Sequence, residues 1–544
     1  MPGGLLQIVA YGAQDIYLTG NPQITFFKVV YRRHTNFALE TIQNTFAAKP
    51  SFGAPNNVTL ERAADLVSKT YIRVVLSGGN APAGGQWAWI EHIGHALLKT
   101  IELQIGGQRI DYYTSEWSQL YSELRLKSEQ ERGYNIMTGN VPSMTTLNAS
   151  HDQYTLYIPL RFFFDTNVGL ALPLISLQYH EVRINVVFEE LNNLIVTSGC
   201  NGADPSSFGL SIIEATFECG MIYLDTDERR RFAQMSSEIL IEQVQMSGPD
   251  NIQDRTNQLL VFNNPVKEIV WGVHTGRMAN TGGGYKYLWY DVNDVDNMRL
   301  IATKRFVLAC AKYNASTLDL DLGDNMDSSV YDSLTPDKYT VTDTNMISTK
   351  LGLPTRLETI FNRIKPAAVA TTPSIYNVAI LGDLLTIEEI STPVDVLFSG
   401  FTGRPTSSTN DGSAFKDVVV KMPFNYGLYL DGSTNPLESG KLLINGQDRF
   451  RSQDAAYFNY LQPYEHHTRT PADGINVYSF AIAPEEHQPS GSFNFSRADT
   501  AALQTFMKDS YMPIIGNDTL CTVYAVSYNV LRIMSGMGGL CYTN

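Results

Sequence analysis

Two short sequence matches recur in the same order along this chain, and together they constrain its architecture more than any other feature. "LETIQ" at residues 39 to 43 resembles "IEQVQ" at 241 to 245, with Glu40 matching Glu242 and Gln43 matching Gln245. Further on, "LQIGGQ" at 103 to 108 resembles "LLINGQ" at 442 to 447, and each is followed by an aromatic-rich run in which Tyr121 aligns with Tyr460. Neither match carries weight alone, but the shared order predicts two similar domains in tandem, joined near residues 225 to 237. The spacing also measures an insertion. Glu40 and Ile105 stand 65 positions apart and Glu242 and Ile444 stand 202 apart, so the second half carries 137 additional residues, roughly between Thr275 and Pro436. That stretch is rich in Gly, Asp, Ser and Thr, as in "ANTGGGYKY" and "GFTGRPTSSTNDGSAF", which predicts exposed loops suited to recognition.

Both halves read as β. In "TYIRVVL" (70 to 76), Thr70, Ile72, Val74 and Leu76 share a face; Val182, Ile184, Val186 and Phe188 do so in "VRINVVF", and Tyr524, Val526, Tyr528 and Val530 in "YAVSYNV". Period-two alternation of this kind predicts strands with one buried side. Helical spacing is scarce: "SEWSQLYSELRLKSEQE" (115 to 131) puts Trp117, Leu120, Tyr121 and Leu124 on one side, and the charged "DTDERRRFAQM" (225 to 235) is the other candidate. At 544 residues one core does not suffice. The 17% of charged residues lies below the roughly 25% usual for soluble domains, and aromatics reach 11%. That balance favours strands and turns.

A net charge of −15 and a pI near 5.1 argue against wrapping nucleic acid, which needs a surplus of Lys and Arg. Cys200, Cys219, Cys310, Cys521 and Cys541 are odd in number, widely spaced and without a CxxC, and are expected as free thiols in a reducing compartment. "MPGGLLQIVAYGAQD" lacks the basic start of a signal peptide. The most apolar window, "LYIPLRFFFDTNVGLALPLISL" (156 to 177), carries Arg161, Asp165 and Asn167 with two prolines and does not read as a membrane span. A soluble intracellular product is the expectation, in which the sequons at Asn57, Asn148, Asn314, Asn494 and Asn517 are chance occurrences.

Motifs that would carry chemistry are missing or incomplete. "ESGKLL" (438 to 443) lacks the upstream Gly and the following Ser/Thr of a phosphate loop, and neither GxSxG nor HExxH occurs. His92 and His95 in "EHIGH" stand three apart, but a helix is not expected beside "GGQWAWI" and no further metal ligands follow. His466 and His467 read as structural. "LDLDLGDNMD" (318 to 327) crowds Asp319, Asp321, Asp324 and Asp327, yet Val330 stands where a calcium loop needs its bidentate Glu, so an exposed acidic loop is preferred. Arg229 to Arg231 sit among Asp225, Asp227 and Glu228, as in a salt-bridged linker. A sugar-binding or glycoside-cleaving β-sandwich is the alternative reading, since Tyr and Asn are plentiful; it requires two carboxylates converging in a cleft.

The segments "GAQDIYLTGNPQITFFKVVYRRHTNFA", "IELQIGGQRID", "GLALPLISLQYHEVRI", "YLDTDERRRFAQ", "NGQDRF", "EEHQPSGSFNFSRAD" and "YNVLRIMSGMGGL" closely resemble, in order from residue 3 to residue 544, the major capsid protein of nucleocytoplasmic large DNA viruses. The resemblance implies an all-β fold of two tandem eight-stranded jelly rolls, a double jelly roll with a large loop insertion in the second. It implies an amino-terminal inner-surface segment (1–36), a first jelly roll (37–224), a linker (225–237) and a second jelly roll (238–544) carrying the insertion (275–436). It implies a structural protein rather than an enzyme, with no cofactor, catalytic residue or metal. A homotrimer would tile an icosahedral virion shell beside neighbouring capsomers, minor capsid proteins and the head groups of an internal membrane, after assembly in the host cytoplasm. The insertion should project outward, where a receptor-binding role is a further possibility.

Two groups of residues carry over. Phe26, Phe27, Lys28, Tyr31, Arg32 and Arg33 match the family's amino-terminal segment on the inner side of the shell. Within "HQPSGSFNFSRAD", Gln488, Pro489, Ser490, Gly491, Arg497 and Asp499 match a motif before the last strands, with Pro489 and Gly491 expected to shape a turn and Arg497 and Asp499 to form an ion pair. From Ile16 to Leu39 the chain has Lys28, Arg32 and Arg33 and no acid. A sticky cationic segment near a chain end would be a loose tail and an aggregation liability on its own; in a shell it becomes an anchor to acidic partners or lipid head groups.

Overall fold

The structure is a computed structural model that describes residues 3–82, 86–146, 148–198, 205–252, 255–274, 317–319, 338–340, 375–381, 384–390, 423–427, 434–507 and 519–542. Its main strands fall into two series of eight. The first comprises β1 (Phe37–Thr45), β2 (Pro55–Thr59), β3 (Leu66–Leu76), β4 (Leu98–Ile105), β5 (Gln108–Thr114), β6 (Tyr154–Pro159), β7 (Val182–Phe188) and β8 (Ile212–Leu224). The second comprises β9 (Ser237–Asn251), β10 (Arg255–Leu259), β11 (Pro265–His274), β12 (Leu437–Ile444), β13 (Gln447–Asp448), β14 (Ile475–Ser479), β15 (Ala501–Met507) and β16 (Leu520–Met534).

In the first series β1, β8, β3 and β6 form one sheet and β2, β7, β4 and β5 the other; in the second, β9, β16, β11 and β14 face β10, β15, β12 and β13. Subtracting eight from the second set of labels reproduces the first, and every pairing is antiparallel. This is a double jelly roll.

The hairpin match is in register. Ile105 pairs with Gln108 across Gly106 and Gly107, and Ile444 with Gln447 across Asn445 and Gly446. All four turn residues have positive φ, the condition of a two-residue turn that follows strand twist. The other match identifies equivalent strands but not equivalent faces. Glu40 lies opposite Met221, a core residue of the first sandwich, whereas Glu242 lies opposite Tyr528 on the side turned toward the first jelly roll. A slip of one residue reverses side-chain direction, so the two glutamates have different surroundings.

Strand alternation holds where one side meets the core: Val182, Ile184, Val186 and Phe188 are buried and Arg183 is exposed. In β16 both faces are buried, against the expectation of one. Cys521, Val523 and Ala525 enter the second sandwich's own core, while Tyr524 and Val526 join the cluster of the first. Helix α1 (Ser115–Arg125) buries Trp117, Leu120 and Leu124 and half-buries Tyr121. It stops at extended Leu126, and a separate helix α2 (Ser128–Thr138) follows where one continuous helix was expected. Helix α3 (Thr226–Gln234) bridges the two series, and its Arg229 pairs with Asp65 at 3.0 Å rather than with a neighbouring acid.

The connection from strand three to strand four of each roll differs greatly in length, running over residues 77–97 in the first and 275–436 in the second. Described within the latter are two antiparallel pairs, Thr317–Asp319 with Lys338–Thr340 and Ile375–Leu381 with Leu384–Ile390. The Gly-rich runs at 279 to 287 and 400 to 415 and most of the acidic run at 318 to 327 lie outside the described residues. Residues 423–427 depart from the expectation of an exposed loop: Tyr426 is buried in the cluster that joins the two rolls.

Candidate assembly site

The amino-terminal segment combines a short helix (Gly3–Val9), a 3-10 turn (Ala13–Asp15), a helical turn (Ile16–Thr19) and extended chain leading to β1. Position alone would leave a loose tail; local structure is present, but no residue from 3 to 36 is buried. Phe26 is 90%, Phe27 98% and Tyr31 84% exposed, with Lys28, Arg32 and Arg33 exposed beside them. Six large apolar side chains in this one stretch, Ile24, Phe26, Phe27, Val29, Val30 and Tyr31, thus face outward on a single chain.

The 488–499 motif closes a sheet edge. Gln488 and Pro489 are exposed; the Ser490 hydroxyl accepts from the Ala483 N–H at 2.9 Å and donates to the Ala483 carbonyl at 3.2 Å. Gly491 has φ +139°, and a Cβ there would lie 2.7 Å from the Phe480 carbonyl oxygen. Beyond it Phe493–Asn494 pairs with Pro265 and Val266 at the start of β11, and Phe495 is buried against Phe262 with ring centroids 5.6 Å apart. The expected ion pair is absent: Arg497 and Asp499 are both exposed, and among the described residues none joins them. Each stays hydrated, which costs less than ordering two side chains. Nor does any hydrogen bond or ion pair among the described residues link this motif to residues 26–33.

The joint between the rolls was not foreseen at residue level. Trp117 of α1 lies on Tyr524 of β16 with centroids 5.5 Å apart. The Tyr524 hydroxyl donates to Glu116 Oε2 at 2.8 Å and accepts from Thr114 Oγ1 at 2.6 Å, while Glu116 Oε1 meets His274 Nε2 at 2.8 Å. The buried Asp111 carboxylate accepts from the N–H groups of Val244 and Tyr112, at 3.1 and 2.9 Å. Burial nevertheless pushes its pKa up to about 7.

Charges are sealed in beside this contact. Arg125 at the end of α1 pairs with Glu268 of β11, and Lys267, 0% exposed, lies 2.6 Å from Glu242. Burial, then the Arg125 charge, lowers the Lys267 pKa. The His467 side chain, also 0% exposed, directs Nε2 to Glu268 at 3.3 Å and Nδ1 to Glu485 at 3.1 Å. Burial alone would raise the Glu485 carboxyl, but hydrogen bonds from His467 and Thr468 bring it below its ordinary value. Arg469 crosses to Glu131 of α2 at 3.0 Å. Of the two glutamates that meet at His467, Glu268 is buried and Glu485 half-buried, and both are held as partners of that one imidazole, which gives the sugar-cleaving alternative no support.

His95 lies in helical geometry, contrary to expectation, within the short helix Ile93–Leu97, whereas His92 precedes that helix as its N-cap with left-handed backbone. Their rings stack 5.8 Å apart. His95 is bonded to Gln119 and Tyr134 at 2.7 and 2.6 Å, and burial depresses the pair to about 4 (His92) and about 3 (His95). His95 is buried and His92 half-buried, burial favours the neutral form of both, and no cluster that could hold a metal occurs among the described residues. Among the same residues no helix is long and apolar enough to cross a membrane, and Cys219, Cys521 and Cys541 are free thiols.

Comparison with known proteins decides what this joint belongs to. The family model described as "Large eukaryotic DNA virus major capsid protein" matches residues 228–539, and that described as "Major capsid protein N-terminus" matches 25–218. The chain is 38% identical to the "Major capsid protein" of Phaeocystis pouchetii virus, over all of both chains. It belongs to the major capsid protein family of large eukaryotic DNA viruses. "Capsid protein 1" of Acanthamoeba polyphaga mimivirus is 35% identical, again over all of both chains. Among solved structures, a subunit of the PBCV-1 virus capsid superposes with a TM-score of 0.59 at 27% identity, covering 96% of this chain and 100% of that one. As a member of the capsid family the chain is a structural protein of the virion, and its jelly-roll pair is the fold those capsids use.

Proposed function

We propose that three copies of the chain form a pseudo-hexagonal capsomer, and that such capsomers tile the icosahedral shell without any catalytic turnover. The observation that carries this reading is the tandem itself. Two rolls of identical topology lie side by side in one chain, so three chains present six similar units around an axis. On this reading the chain divides into an amino-terminal segment (1–36), two rolls (37–224 and 238–544) and a linker (225–237), a division that the two strand series support. Purified chain is expected to sediment as a trimer at neutral pH and to show hexagonal outlines by electron microscopy. A stable monomer at micromolar concentration would overturn the proposal.

The exposed segment around Phe26, Phe27, Lys28, Tyr31, Arg32 and Arg33 is proposed to anchor capsomers on the inner side of the shell. Its aromatic rings would be covered by minor capsid proteins or adjacent subunits, and its cations would meet acidic side chains or membrane head groups. The 488–499 motif has an internal structural role, and direct contact with nucleic acid is not part of the proposal. Assembly is placed in the host cytoplasm, consistent with three described cysteines that remain thiols. Arg32→Glu with Arg33→Glu should leave trimers intact and impair shell assembly; shells formed at the wild-type yield would refute the anchoring role.

A further inference from the structure

Building on the trimeric capsomer, we propose that it closes by repeating between copies the joint that already holds the two rolls together within a chain. The segment Tyr457–His466 of one copy docks on the outer face of the β1–β8–β3–β6 sheet of the next.

Inside the chain, the helix that follows the β4–β5 hairpin covers the outer face of the β9–β16–β11–β14 sheet. Trp117 rests on Tyr524, Glu116 binds Tyr524 and His274, and Arg125 binds Glu268. Behind that contact Val270, Val477, Tyr524 and Val526 are buried in the shared cluster.

The second roll carries the counterpart of this helix. After the β12–β13 hairpin, Tyr457–Leu461 forms a π turn and Gln462–His466 an α turn. Their inner side is seated in the second sandwich through Phe458, Asn459, Gln462 and Pro463. The other side faces outward: Tyr460 and Leu461 are each 44% and Tyr464 80% exposed, with the Tyr460 hydroxyl donating to Asp473 Oδ1 at 2.7 Å and the rings left uncovered. Together with Tyr457 they line an open, mainly apolar groove. Tyr464 stands at the position that Arg125 occupies in the first roll, counted from the paired hairpins.

The first roll in turn carries the uncovered counterpart of the receiving face. Gln43, Glu218 and Tyr71 stand opposite one another across β1, β8 and β3 on the side away from the core, Arg73 and Tyr157 pair in the adjacent row of the same face across β3 and β6, and each of these five is at least partly exposed. One chain therefore presents two unmated halves of a joint whose mated form it already contains. The halves differ, so copies must associate head to tail, and a ring results when the turns sum to a full circle. The occupant of the groove is a second copy of this chain, because the surface that fits the equivalent helix is present on it.

The test uses the full chain in two forms. Variant A carries Tyr460→Arg and Tyr464→Glu; variant B carries Gln43→Arg and Tyr157→Arg. Wild type and a control with Tyr460→Phe and Tyr464→Phe are expected as trimers by analytical ultracentrifugation, and A and B alone as monomers with unchanged circular dichroism. Mixed, A and B retain one good joint between them and should give dimers of one A and one B, with no trimers. Trimeric A, or a mixture that stays monomeric, would overturn the proposal. A monomeric wild type would instead refute the capsomer reading beneath it. If A misfolds, Tyr464→Arg alone, at a strongly exposed position, is read in the same way.

Discussion

Gly491 shows how much a single backbone position can hold. Its φ of +139° suits glycine, and a side chain would press on the Phe480 carbonyl across the loop that Ser490 ties to Ala483. Gly491→Ala is expected to destabilise the second roll by about 1–3 kcal/mol, read as a lower midpoint in urea with the trimer mass unchanged. Asp111 makes a different prediction. Its folded pKa of about 7 lies above the ordinary 3.8, so between those values the folded chain holds a proton that the unfolded chain lacks. The stabilisation is complete below 3.8 and is lost as pH rises through 7. Asp111→Asn keeps an acceptor for Val244 and Tyr112 without acquiring charge, so from about pH 6 to about pH 8.5 its stability in urea should fall less than that of wild type, by about 1.4 kcal/mol.

At the scale of elements, the Arg125–Glu268 pair joins a helix of one roll to a strand of the other. Glu268→Ala would leave Arg125 and His467 buried without their shared carboxylate, at an expected cost of about 3–5 kcal/mol by chemical denaturation. Arg125→Met combined with Glu268→Leu should restore most of it, since a well-packed apolar pair replaces the ions. This joint also marks where sequence reasoning stopped. The hairpins at Gly106 and Asn445 were legible because turn chemistry is local. The strands at 70 to 76 and 182 to 188 were legible because burial on one face imposes alternation. β16 was harder: burial on both sides hides which residues face the other roll. The partners of Glu268 come from residues 125 and 467, and no local pattern announces a pair so far apart. The histidines at 92 and 95 misled for a related reason, because tertiary packing forms a helix of five residues that propensity alone would not. Of the candidate site residues, the exposed aromatic and basic group near residue 30 was visible as composition, whereas Arg497 and Asp499 suggested a pair that their exposure does not support.

For the whole molecule, the long connection of the second roll tests how far the scaffold stands alone. Replacing residues 280–420 by a short flexible linker should leave trimers with an unchanged melting temperature, whereas extending the deletion to residue 430 should lower it. The difference arises because Tyr426 is buried beside His274, with ring centroids 4.5 Å apart, and Phe424 packs near His92 and His95.

The same connection has a consequence for how such shells diversify. It leaves at the end of β11 and re-enters at the start of β12, so its length does not enter the register of either sheet, and among its described residues those that join the shared core are Phe424 and Tyr426. Closing a loop eight times longer costs only about 2 kcal/mol, because the entropy grows with the logarithm of length. A lineage can therefore enlarge, shorten or exchange this connection while the strand pairings and the joint between the rolls keep their geometry, so that variation gathers in one stretch of chain and the frame stays as it was.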